Sequence, residues 1–296
     1  MEKTIVVAGA TGNLGKRIVN ALRGHKVKVV ALVRKGADDD KVKSLQDLGS
    51  EVKLVDTSNI EDLTQAIWGA DCVISALQGL HDVIIDTQSN LLEAAVKAGV
   101  PRFIPSDFCT DFRKQPEGEN RNFDLRREFH KRLDGANVAA TSIFNGAFTT
   151  ILTYNVPLFD AKKKVVGYWD DPDWHIDFTS MDDTAAYTAA AAADTRTPKA
   201  LHIASFQVSP RELQKFTAEV LGTPFELVSL GTRKQLAESN KRERAAHPEG
   251  ENDLYASWQQ TQYLQSMFST HHESLDNERY SNLAWTTLQE ILKPKS

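Results

Sequence analysis

Two apolar periods alternate along the first half of the chain. Ile5 to Ala8 is a short β-branched run with the length of a buried strand. Leu14, Ile18, Ala21 and Leu22 then recur at helical spacing. The unit repeats. Lys26 to Val33 predicts a second strand, followed by a helix through Val42, Leu45 and Leu48 that Asp38, Asp39 and Asp40 are placed to cap. Val52 to Val55 predicts a third strand and Asn59 to Trp68 the next helix. Cys72 to Leu77 predicts a fourth strand. It leads into a long amphipathic helix over 82–98 through Ile84, Ile85, Leu91, Leu92 and Ala95, stopped by Gly99. Arg102 to Pro105 reads as a fifth strand. Such alternation means βαβ units and a parallel sheet.

The chain from Thr110 to Asn122 is polar, a loop over the active face or a mobile flap. A helix over Phe123 to Leu133 and a sixth strand, Val138 to Phe144, follow and end in Asn145-Gly146. Beyond residue 150 the repeat loosens. Lys162 to Tyr168 reads as a short edge strand with its turn, Asp170 to Asp177 as an acidic, aromatic loop, and Asp182 to Ala193 as an alanine-rich helix. Leu201 to Ala204 predicts another strand. Ser209-Pro210-Arg211-Glu212 is a capping box with proline at the first helical position, and Thr232 to Gln235 repeats the spacing. Trp258, Tyr263, Leu264, Phe268, Leu283, Trp285 and Leu292 are the core candidates of the last segment. The expected division is a dinucleotide-binding domain over 1–150. A smaller mixed lobe over 151–296 is expected to close a substrate cleft and to be interleaved with the sheet.

Composition narrows the function classes. The 296 residues carry a net charge of −5 with no long basic run, which argues against nucleic-acid or anionic-membrane partners. No apolar stretch has the length of a membrane span, and the start lacks the apolar segment of a signal peptide. Two cysteines, Cys72 and Cys109, suit a reducing cytosol, so the expected location is cytoplasmic.

The chemistry is announced at the first strand–helix junction. Gly9, Gly12 and Gly15 stand at G-x-x-G-x-x-G spacing. Glycines here make a tight turn, let the backbone approach a pyrophosphate, and let helix and strand pack closely. The phosphates then meet free N–H groups at the helix N-terminus. About twenty residues on, an acid would bind the ribose 2′-hydroxyl of NAD and a base the 2′-phosphate of NADP. This chain has Arg34 and Lys35, which predicts NADP(H) over NAD(H), with Lys41 or Lys43 as a second phosphate contact. Asp56 and Thr57, after the third strand, meet the adenine or cap the following helix.

With these pieces placed, the chain resembles the NmrA-like and isoflavone reductase-like group of atypical short-chain dehydrogenases. The matching residues are GATGNLG (Gly9 to Gly15), ALVRK (Ala31 to Lys35), DCVISAL (Asp71 to Leu77), VPRFIPSDF (Val100 to Phe108) and FNGAF (Phe144 to Phe148). The resemblance implies a doubly wound parallel sheet, the Rossmann fold. It implies Thr11, Gly12, Asn13 and Leu14 at the pyrophosphate and Arg34 at the 2′-phosphate. Ser75, Ala76, Leu77 and Gln78 would line the nicotinamide ribose, Pro105, Ser106 and Phe108 the nicotinamide, and Asn145 to Phe148 the back wall of the cleft.

The catalytic pattern departs from the group. None of the six tyrosines has lysine four residues later, so the Tyr-x-x-x-Lys acid is absent. Where the isoflavone reductase-like enzymes carry a lysine on the helix before the sixth strand, this chain has Arg126, Arg127 and Glu128. Arginine is a poor proton donor because it stays charged. His130, Lys131, Tyr168, His175 and Asn145 are the remaining candidates, with Asp107 as an orienting partner or a turn cap. The substrate cleft is expected to be lined by Asp107, Asn145, Phe148, Trp169, Trp174 and His175. Adjacent His271-His272 before Glu273 lacks the spacing of helical metal ligands, so the segment reads as surface and no metal is expected. Three functions stay open: an NADPH-dependent reductase of a small aromatic or conjugated carbonyl, alkene or imine; an NADP(H)-binding redox sensor acting through a protein partner, which the missing lysine and Tyr-x-x-x-Lys motivate; and an epimerase or dehydratase of the extended short-chain group, weaker because those also use the tyrosine and lysine.

Overall fold

The first strand, β1 (Lys3–Ala8), buries its last four residues, as an apolar run without alternation demands of a strand covered on both faces. The computed structural model describes residues 2–293. By compactness the chain divides into two units. The first comprises the chain up to Phe108 together with Leu125–Ile143 and Thr184–Leu201; the second comprises Cys109–Asp124, Phe144–Asp183 and the chain from His202 onward. The chain therefore changes unit five times.

The first unit is a six-stranded parallel sheet. After β1 come α1 (Asn13–Leu22), β2 (Val27–Arg34), α2 (Asp39–Asp47), β3 (Glu51–Val55), α3 (Ile60–Ala66), β4 (Cys72–Ser75), α4 (Gln88–Lys97), β5 (Arg102–Ile104), α5 (Arg121–Leu133) and β6 (Ala139–Ala140). The strand order is β3-β2-β1-β4-β5-β6, and every pairing is parallel. The order reverses at β1, whose Ile5 stands opposite Val29 of β2 and Cys72 of β4. Asp38 accepts from the Asp40 N–H at 2.9 Å and Asn59 from the Asp62 N–H at 3.1 Å, so α2 and α3 start where their caps are. Val6, Val30, Leu32, Val73, Ile84, Leu91, Phe103 and Phe129 form the core on one face.

Four expectations change in detail. On α1 the buried positions are Gly15, Ile18, Val19 and Leu22, because the helix turns its glycine toward the strand. The helix over 82–98 opens as a π-helical turn, Asp82–Thr87, before α4. The sixth strand breaks at Thr141: β6 stays with the parallel sheet, and Ser142–Phe144 pairs instead with Ala200–His202. The alanine-rich helix α6 (Met181–Ala193) contributes Ala185, Tyr187, Ala189, Ala191 and Ala192 to the interior. From Thr184 on, it belongs to the first unit. The Arg102 guanidinium donates to the Ala191 and Ala192 carbonyls at 3.0 and 2.8 Å, and Lys3 Nζ donates to the Ala193 carbonyl at 2.5 Å. Two cations from the sheet thus satisfy the exposed carbonyls at that helix's C-terminus.

The second unit holds two small sheets. Val165–Tyr168 lies between Glu226–Ser229 and Phe159–Asp160, so it is a central strand and not an edge. Ile176–Thr179 lies between Phe206–Val208 and Ala147–Phe148. Ser209 with Glu212 caps α7 (Pro210–Leu221), and Thr232 with Gln235 caps α8 (Arg233–Ala246), both as reciprocal capping boxes. Of the late core candidates, Trp258, Leu264, Phe268 and Leu292 are buried; Tyr263, Leu283 and Trp285 are half-buried. Among the described residues no helix is long and apolar enough to cross a membrane, and both cysteines are free thiols.

The closest approach in the first unit lies at Gly15, where an added Cβ would stand 2.1 Å from the Gly9 carbonyl oxygen. Gly15→Ala is expected to lower stability by about 2 kcal/mol or more in urea unfolding. Gly24→Ala, whose Cβ meets nothing nearer than 3.4 Å, should change it little. Equal effects of the two would refute the packing argument.

Candidate functional site

The turn after β1 closes with the Gly12 N–H donating to the Gly9 carbonyl at 3.0 Å. Gly12 is the N-cap of α1; no side chain caps the helix, and its first turn holds no acid. The leading N–H groups are therefore offered to an anion. Thr11, Asn13 and Leu14 share this turn, with Asn13 Oδ1 accepting from Arg17 Nε at 3.0 Å. The pyrophosphate candidates stand together on one helix start.

At the end of β2, Arg34 is exposed and no described residue hydrogen-bonds its guanidinium. Lys35 is different. Its Nζ donates to Asp62 at 2.6 Å, and that contact raises the ammonium's pKa. The same Asp62 oxygen accepts from the Asp56 N–H at 2.8 Å. Lys35 is thus paired locally, while Arg34 carries no such pair. Asp56 accepts from the Ser58 hydroxyl and N–H at 2.6 and 2.9 Å, so it shapes the turn before α3. The Thr57 carbonyl accepts from Asn90 at 3.2 Å.

The ends of β4 and β5 are wired to each other. Ser75 closes β4 fully buried, the Ala76 N–H donates to the Ala8 carbonyl at 2.9 Å, and Gln78 is exposed. Ser106 is held at three atoms. Its N–H donates to Gln88 Oε1 at 2.9 Å, its hydroxyl to the Leu77 carbonyl at 2.5 Å, and its carbonyl accepts from Arg126 Nε at 3.0 Å. Pro105 and Phe108 flank it, buried. Asp107 is 0% exposed, and its Oδ2 lies 2.6 Å from His130 Nε2 and 2.7 Å from Ser142 Oγ. Lys131, the next residue on α5, is exposed. Two buried side-chain atoms of this unit have no partner among the described residues, Ser75 Oγ and Asp107 Oδ1. They belong to residues that end β4 and follow β5, where open parallel sheets receive ligands. Orphaned buried polar atoms are rare enough to ask for a ligand or water.

In the second unit, Asn145 is 0% exposed and both amide atoms are unpartnered, while its backbone bonds to Cys109 and to the Thr179 hydroxyl. Gly146 has φ +63, and a Cβ there would stand 2.5 Å from Asp177 Cβ. Phe148 is half-buried. The other expected cleft residues, Trp169, Trp174 and His175, also lie in this unit. Trp169 is 6% exposed and packs edge-on against Phe268 in the core of this unit. The Trp174 indole N–H donates to the Met267 carbonyl at 3.0 Å, and its ring meets His271. His175 is exposed and pairs with Glu212 at 3.2 Å. Tyr168 packs against the same core as Trp169. Each aromatic finds its partner in a segment far along the chain.

The pair His271-His272 is not surface. His271 is half-buried, and His272 is 2% exposed; neither ring nitrogen of His272 has a hydrogen-bond partner, and its Nε2 lies 3.7 Å from Asp177 Oδ2. Its ring meets His202, which stacks on Phe144 and lies 2.9 Å from Asp111. Burial alone would raise the Asp111 pKa, but hydrogen bonds from Arg113 and His202 outweigh it and hold the carboxyl well below the usual range. Among the described residues no cluster of histidine, cysteine and acid has metal-holding geometry.

The NmrA-like family model matches residues 1–292. The chain belongs to the NmrA-like family. It is 33% identical to pinoresinol reductase 1 of Arabidopsis thaliana, over 66% of this chain and 67% of that one. It is 28% identical to a bifunctional pinoresinol-lariciresinol reductase of Linum album, over 98% and 93%. A crystal structure of isoflavone reductase superposes with a TM-score of 0.82 at 22% identity, over 99% of each chain. The structure of AtPrR2 with NADP+ and (+)pinoresinol does so with 0.79 at 24%, over 99% and 98%. This NmrA-like chain therefore has the doubly wound fold of those proteins.

Sequence reasoning missed Ser142, Gln88 and the Asp111–His202 pair. Each acts through a partner at least eighteen residues away, so no local spacing signals it.

Burial lowers the His272 pKa from 6.5 to about 3. Unfolding frees the imidazole to bind a proton at its ordinary value, so between those limits the unfolded chain holds more protons and stability falls as pH falls. His272→Gln is expected to flatten the melting-temperature profile between about pH 7 and 4.5 relative to the parent protein. Parallel profiles would refute this.

Proposed function

We propose that this chain is an NADPH-dependent reductase transferring hydride to a small aromatic or conjugated carbonyl, alkene or imine. What carries the reading is the uncapped start of α1 beside the Gly9 turn, with Arg34 unpaired at the end of β2. These residues fit a dinucleotide. Thr11 and Gly12 to Gly15 would hold the pyrophosphate through backbone N–H groups, and Arg34 the 2′-phosphate through its planar fork. Ser75 to Gln78, Pro105, Ser106 and Phe108 would frame the nicotinamide and its ribose. Bound NADPH would supply the hydride, while the protein orients it and provides a proton.

Relatives named for the reduction of pinoresinol and lariciresinol, aromatic lignans, support an aromatic substrate. The sensor reading rests on the missing lysine and the absent Tyr-x-x-x-Lys. It is weakened because relatives aligned over two thirds or more of their length carry reductase names.

The test is a fluorescence titration with NADPH and NADH, followed by a substrate panel that begins with pinoresinol. A 2′-phosphate held by a charge-assisted pair is expected to favour NADPH by ~2 kcal/mol, roughly thirtyfold. Arg34→Asp should erase that preference. Equal affinity for both cofactors in the parent protein would defeat the cofactor reading. Selective binding of NADP+ over NADPH, with no turnover across the panel, would restore the sensor.

A further inference from the structure

The turn of α5 where the resemblance would place a lysine carries Arg126, Arg127 and Glu128, and Arg126 donates to the Ser106 carbonyl. One turn further along α5, a different arrangement is complete. His130 Nε2 lies 2.6 Å from Asp107 Oδ2, and the Ser142 hydroxyl donates to that same oxygen at 2.7 Å. The three residues come from the segment after β5, from α5, and from the strand after β6, and all belong to the first unit.

A carboxylate only accepts, so the ring donates from Nε2. A wholly buried carboxylate is costly unless it is paired and hydrogen-bonded, which commits Asp107 to its two donors. The Ser142 bond fixes the carboxylate's rotation, and the carboxylate fixes the imidazole's orientation. It also stabilises an imidazolium, the form from which a donor must start. The His130 side chain is 17% exposed, so solvent can return a proton to it. Asp107 Oδ1 remains buried without a partner at this ligand-receiving end of the sheet.

Resting on the reductase reading, we propose that His130 is the proton donor and that Asp107 and Ser142 are its positioning residues. Bound NADPH would supply a hydride to the electrophilic atom of a C=X substrate, leaving the π electron pair on X to be protonated. The His130 imidazolium then gives a ring proton to X. The ring ends neutral, with Nε2–H still on Asp107, until solvent reprotonates it. One substrate, one NADPH and one proton give the reduced product and NADP+.

The experiment compares His130→Gln, Asp107→Asn and Ser142→Ala with the parent protein on the best substrate of the panel. His130→Gln is expected to lower kcat by about a hundredfold or more while KM and the NADPH Kd stay within twofold. Ser142→Ala, which keeps the ion pair, should lower kcat by roughly three- to tenfold at constant KM through loosened orientation. In ¹⁵N imidazole spectra, the neutral form of the His130 ring in the parent protein should carry its proton on Nε2, and Asp107→Asn should shift that tautomer. Should Asp107→Asn fail to fold, the other two variants decide. A kcat within threefold of the parent in His130→Gln overturns the donor, and an unchanged kcat in Ser142→Ala overturns the positioning. Absence of NADPH oxidation by the parent protein across the panel removes the reductase reading and this donor together. Loss confined to the variants' kcat leaves the reductase reading intact and establishes the donor.

Discussion

The absence of a side chain at Gly15 is the constraint on which the first unit depends. A Cβ there would lie 2.1 Å from the Gly9 oxygen, and one on Gly9 itself, at φ +77, would lie 2.4 Å from the Ala76 carbonyl. The two glycines therefore bring three pieces of backbone together: the turn after β1, the start of α1 and the segment after β4. That contact sits where the strand order reverses. It aims the open N–H groups of α1 at the same end of the sheet where β4 and β5 finish. The rest of that end follows from hydrogen bonds already fixed by this approach. Ser106 ties the segment after β4 to α4 and α5, and Asp107 ties it to α5 and the strand beyond.

Charge is used sparingly inside this unit, and each buried charge has a defined partner. Arg102 is almost fully buried, yet its guanidinium meets two helix-terminal carbonyls and the Thr197 hydroxyl. Asp107 meets a ring nitrogen and a hydroxyl. Burying either charge alone would cost far more than either pair returns, so these groups serve to fix geometry more than to add stability. In the second unit the accounts are less complete. Asn145 and His272 are both buried with unmet hydrogen-bonding capacity. Burial of His272 disfavours its charged form.

The sequence made the parallel half of the fold legible because its signals are local. An apolar run of strand length, a glycine turn and a helical stripe all lie within twenty residues, and Arg34 falls at the strand end where its role is decided. Legibility ended where the deciding partner was remote. Val165–Tyr168 has the composition of an edge strand, and only Glu226–Ser229 makes it central. Trp169 has the composition of a cleft wall, and only Phe268 makes it core. Lys35 reads as an unpaired base at a strand end, and only the fold places Asp62 beside it. The Asp107 contacts with His130 and Ser142 span 23 and 35 residues, so the composition of either segment does not disclose them.

The interleaving of the two units has a consequence for how the molecule is made. Domains emerging from a ribosome generally fold as whole units, in order of synthesis. Here the parallel sheet is finished by β6, but the helix whose last carbonyls receive Arg102 and Lys3 is translated only after a long stretch of the second unit. Until the segment ending at Leu201 has emerged, both cations lack their helix and the sheet lacks the alanine-rich cover that α6 brings. The nascent protein must therefore hold an unfinished, apolar-faced sheet while residues 141–201 are made. No stop placed at the end of the strand–helix repeat would release a self-sufficient nucleotide-binding half.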